Sequence, residues 1–85
     1  VRSAYYLRMR VEDQPGVLAD VARILADAGI SIVSMIQQPS GDAGADIIFL
    51  THEAVERSVN QAIARIEALP SVTSSVTRLR MEDLN

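Results

Sequence analysis

The chain has 85 residues, 48% hydrophobic and 22% charged, which fits one globular domain and argues against disorder. A net charge of −3 and a pI near 4.9 argue against nucleic acid or an anionic membrane as partner. There is no cysteine, which excludes disulfides, thiolate metal sites and cysteine nucleophiles and fits a reducing cytoplasm.

The chain opens on Val1, and residues 1–3 read as the end of a linker, 4–81 as the domain and 82–85 as a tail. Residues 4–11 alternate: Tyr5, Leu7, Met9 and Val11 face one way, and Ala4, Tyr6, Arg8 and Arg10 the other. That period of two predicts a strand with one buried face. Asp13 to Gly16 is turn chemistry. Val17, Leu18, Val21, Ile24, Leu25 and Ala28 then recur at helical spacing, and Gly29 supplies a C-terminal cap.

Residues 30–37 are rich in β-branched side chains and predict a second strand, and Pro39 to Ala45 a hairpin-like loop. Asp46 to Thr51 predicts a central strand buried on both faces. A second helix is expected from about Ala54, with Val55, Val59, Ala62, Ile63, Ile66 and Leu69 on its apolar stripe and Pro70 as its stop. Residues 72–81 predict the last strand. No apolar run approaches the roughly 18 residues that span a bilayer. The order β-α-β-β-α-β defines an α+β, ferredoxin-like sandwich: a four-stranded antiparallel sheet with two helices on one face. Right-handed crossovers place the first and third strands centrally and the second and fourth at the edges.

Chemistry is sparse along most of this chain. His52 is the lone histidine, and no other residue gives it the spacing of a metal site or a catalytic pair. Arg8, Arg10, Arg78 and Arg80 could form a basic patch across the first and last strands, but of the three aromatic residues Tyr5, Tyr6 and Phe49, Tyr5 and Phe49 read as core, which makes the patch weak evidence for nucleic acid. No Gly-x-Gly-x-x-Gly fingerprint of a dinucleotide site occurs.

The turn after the first strand is richer. Pro15 suits the first position of a helix, and Gly16 removes the side chain where a ligand would approach the backbone. Free amides of Gly16, Val17 and Leu18 at the helix N-terminus would favour a carboxylate, and Asp13 could accept from an ammonium group. The residues alone equally allow an ordinary tight turn with Asp13 as N-cap.

Asp13-x-Pro-Gly-Val-Leu, the amphipathic helix after it, and Ala28-Gly29-Ile30-Ser31-Ile32 leading into the second strand resemble the ACT domain family. The segments 46–52, 66–70 and 76–84 are similar to the C-terminal ACT domain of bacterial homoserine dehydrogenase. The resemblance implies a homodimer through the second strand, paired edge to edge, with a small amino-acid effector at the interface. Asp13, Gln14, Gly16, Val17 and Leu18 of one subunit would meet Ser31 and Ile32 of the other. Family members often carry Asn where this chain has Asp13 and Ser31, which leaves the effector open. The resemblance further implies feedback control by threonine and a catalytic domain elsewhere in a parent chain. NAD(P) would belong to that domain, with no cofactor, catalytic residue or metal in this one. An ACT domain of another amino-acid biosynthetic enzyme, sensing serine or a branched-chain amino acid, and a purely structural dimerisation module stay open beside this reading.

Overall fold

A computed structural model describes residues 2–81 of the chain. Its elements are β1 (Arg2–Glu12), α1 (Val17–Asp27), β2 (Ile32–Ser40), β3 (Gly44–Thr51), β4 (Ala54–Val55), α2 (Glu56–Glu67) and β5 (Thr77–Met81). The tail at 82–85 lies outside the described residues. Antiparallel pairing joins β2 to β3, β3 to β1 and β1 to β5, so β3 and β1 are central and β2 and β5 are edges. This is the ferredoxin-like sandwich expected from the element order. Among the described residues no helix is long and apolar enough to cross a membrane.

The alternation read in β1 decides where the core lies. Tyr5, Leu7, Met9 and Val11 are buried, and Ala45, Ile47, Phe49 and Thr51 of β3 line the same face. Onto it pack Val17, Val21, Ile24 and Leu25 of α1 and Val59, Ala62 and Ile66 of α2, in one continuous cluster. Burying side chains of this size contributes about 1.5–3 kcal/mol each before entropy opposes it. α1 ends in a Schellman motif: the Gly29 amide donates to Ala26, the Ile30 amide donates to Leu25, and Gly29 takes the required φ of 76°.

Five boundaries depart from expectation, each for a local reason. β1 begins at Arg2, inside the segment read as a linker, because Arg2 and Ser3 pair with Val55 and Ala54. That pairing turns Ala54–Val55 into strand β4, so α2 starts at Glu56 and Val55 is 40% exposed instead of joining the apolar stripe. β2 starts at Ile32 and runs through Pro39 to Ser40, since the proline lies near the end of an edge strand, where a missing amide is tolerated. β3 correspondingly starts at Gly44, and its burial alternates, because helices cover only one face of the sheet. β5 is confined to Thr77–Met81: Val72 makes an isolated bridge to Val11, and the chain leaves the sheet between them.

Candidate functional site

The corner between β1 and α1 is built by the backbone. The Asp13 amide donates to the Ala43 carbonyl of the β2–β3 hairpin at 3.0 Å, which fixes where β1 stops. Gln14 to Val17 then form a type II β-turn. Pro15 supplies the preset φ, Gly16 sits at φ 88° and ψ −14°, and the Val17 amide donates to Gln14 at 3.3 Å. Asp20 opens the helical ladder by donating to the Gly16 carbonyl at 2.9 Å.

This geometry corrects three details of the expected turn. Gly16 is the N-cap residue and no side chain caps the helix, so Asp13 is exposed and free of that role. Pro15 lies two residues before the first helical residue, Val17, instead of opening the helix. The Val17 amide is occupied, and its side chain, 5% exposed, belongs to the core. The amides of Gly16, Leu18 and Ala19 find no acceptor among the described residues. Ala19 went unnoticed in the sequence because the helix starts two residues after Pro15, at Val17, which moves the open donors further along the chain. Gln14 is exposed beside them, Leu18 is half-buried, and Asp20 is held by Arg23 at 3.3 Å. The corner therefore offers oriented donors at the positive end of α1, with the carboxylate of Asp13 nearby.

Ser31 and Ile32 lie elsewhere. The Ser31 carbonyl accepts from the His52 amide at 2.9 Å, and Ile32 pairs with Thr51, both at the end of β3 remote from the hairpin. β3 has eight residues, so the two groups stand roughly 23 Å apart at the usual rise of about 3.3 Å per residue. Within one chain the structure brings together Asp13 to Leu18 and does not bring Ser31 or Ile32 to them.

β2 is the least covered element. Ile32, Val33, Met35 and Ile36 are 36%, 54%, 42% and 49% exposed, and they project from both faces of the strand. No charged residue interrupts it. The four arginines considered as a basic patch are divided between the two faces of the sheet. Arg8 and Arg10 share Asp46 on the open face, whereas Arg78 and Arg80 turn to Asn60 and Glu56 on the helix side. His52 is exposed.

The comparisons agree with this architecture. The ACT domain family model matches residues 5–71. A homoserine dehydrogenase of Methylobacillus glycogenes is 59% identical over 87 residues, covering 100% of this chain and 21% of the relative. A crystal structure of a homoserine dehydrogenase from Thiobacillus denitrificans superposes with a TM-score of 0.89 at 55% identity, covering 100% of this chain and 19% of that one. The ACT domain from GTP pyrophosphokinase of Chlorobium tepidum has a TM-score of 0.74 at 13% identity, covering 93% of this chain and 100% of that one, a likeness of fold alone. The chain thus spans about a fifth of the length of the homoserine dehydrogenases it matches.

Proposed function

The chain belongs to the ACT domain family, and from that premise we propose that it is the amino-acid-sensing regulatory module of a homoserine dehydrogenase, with threonine as effector. Two copies pair through β2 in the cytoplasm, and the effector sits between them. Its carboxylate takes the open amides of Gly16, Leu18 and Ala19, while Asp13 and Gln14 receive its ammonium group. Ser31 and Ile32 of the second copy close the site and meet the side chain. Catalysis and NAD(P) binding fall to the remaining length of the parent, to which this module conveys occupancy as a coupling free energy of about 1–3 kcal/mol.

One observation carries the reading: the expected site residues occupy opposite ends of β3, beside an uncharged and exposed edge strand. Antiparallel pairing of β2 with its copy about a two-fold axis sets the start of one β2 against the hairpin end of the other. Ser31 of one copy then lies on the same end as the other copy's Asp13 to Leu18. The pairing also satisfies the β2 edge and enlarges a small core.

Calorimetric titration of the chain with threonine, serine, valine and isoleucine, alongside sedimentation, tests this. Saturable threonine binding to a dimer is expected. Preference for serine or a branched-chain amino acid would move the module to another biosynthetic parent. A folded dimer that binds none of the four would leave a structural dimerisation module.

A further inference from the structure

The open face of the sheet holds a second concavity, on the β5 side of β1, that is independent of the reading above. It arises just ahead of where the last strand joins the sheet. Thr77 is the first residue of β5 and pairs with Arg8 of β1. Before it the chain stands away from β1, attached where the Arg10 amide donates to Ser74 Oγ at 3.0 Å and the Thr73 amide donates to the Arg10 carbonyl at 2.9 Å. The notch left between these two attachments is floored by Met9 and walled by Tyr6, Arg8, Arg10, Asp46, Ser74 and Thr77, with a volume of about 380 Å³.

The charges in the notch are only partly satisfied. Arg8 Nη2 reaches one oxygen of Asp46 at 3.2 Å, and Arg10 Nε reaches the other at 3.4 Å. Each guanidinium carries five N–H donors in a planar fork suited to bidentate contact, yet each spends a single nitrogen on this carboxylate. Both arginine side chains are about half exposed, at 51% and 53%, while Asp46 is down to 15%. Two cations thus stand over one shielded anion, which leaves a local excess of one positive charge on a chain whose net charge is −3. Glu12, the next side chain along that face, lines the neighbouring hollow at the hairpin, which Arg10 also borders.

The geometry points to a binding site for a small oxyanion, a carboxylate or a phosphate, clasped by Arg8 and Arg10, with the Thr77 hydroxyl at its rim; the Ser74 hydroxyl is already used, accepting from the Arg10 amide and donating to the Ser75 carbonyl at 2.9 Å. Leu79 also lines the notch and is 56% exposed, so the ligand it suits carries a short apolar body beside the anionic group. Asp46 is then the resident counter-ion that such a ligand must displace or share.

The test is a titration of the chain followed by NMR, with inorganic phosphate and with butyrate, at ionic strength held constant with chloride. Saturable shifts at Arg8, Arg10, Ser74 and Thr77 are expected, and the stronger of the two probes identifies the preferred head group. Arg8→Gln combined with Arg10→Gln weakens binding about tenfold or more. Asp46→Asn tightens it several-fold, because the competing carboxylate is gone. The proposal is overturned if neither probe saturates, if the shifts fall on Gly16 to Ala19 instead, or if Asp46→Asn leaves affinity unchanged or weaker. That last arm decides even if the double arginine variant does not fold.

Discussion

Gly16 carries the conformational load of the β1–α1 corner, and its two properties can be separated by substitution. A Cβ at this position meets nothing within 4 Å, so space is not what demands glycine; the φ of 88° is. Asn and Asp are the side chains best tolerated in the left-handed region. Gly16→Asn and Gly16→Asp have nearly equal shape, and each should lower stability by about 1 kcal/mol. They differ in charge, which faces the open amides of Leu18 and Ala19. Threonine affinity is expected to fall more than about tenfold for Asp and only a few-fold for Asn. Equal losses in calorimetry would assign the effect to shape and remove the carboxylate from this corner. Ala43 presents the reverse case. It is exposed, and it holds φ 60° without being glycine, in the hairpin whose carbonyl fixes Asp13. Ala43→Gly relieves that strain and should raise stability by about 0.5–1 kcal/mol, read as a higher urea midpoint at constant slope.

Elements with strong periodicity were legible in the sequence, and those set by a partner strand were not. The alternation of β1 and the stripe of α1 follow from which side chains must be buried, so Tyr5 to Val11 and Val17 to Leu25 were found with the correct face. Ala54–Val55 carries no such signal: two residues become a strand only because Arg2 and Ser3 arrive opposite them, from fifty residues away in the chain. The same blindness applies to the corner, where Pro15-Gly16 marks a turn but its type decides which amides stay open. Where β3 gives way to β4, the ladder is bridged by a side chain: the Tyr5 amide donates to Thr51 Oγ1 at 3.0 Å, and Thr51 is 3% exposed. Thr51→Val keeps the shape and deletes the acceptor, which leaves a buried amide unpaired. A loss of about 1–3 kcal/mol in chemical denaturation is expected, with Thr51→Ser retaining most of the stability. A neutral Thr51→Val would mean that the irregular junction is not held by this bond.

At the scale of the whole molecule the two sheet edges are unequal, and the inequality makes β2 the edge for the proposed pairing. β5 has five residues, and Arg78 and Arg80 charge its helix side, a feature that discourages strand addition. β2 has nine residues, none charged, and exposes apolar side chains to both faces. Lysines at Val33 and Ile36 place charge on that edge while touching nothing in the protomer core, since both side chains are about half exposed in the single chain. Protomer stability should therefore change by no more than about 0.5 kcal/mol, as for most surface substitutions. Sedimentation should show a monomer, and threonine binding should disappear with the dimer, because Asp13 to Leu18 and Ser31 stand at opposite ends of the sheet in any one copy. A folded monomer of the double variant that still binds threonine at full affinity would place the whole site within one chain and separate sensing from assembly.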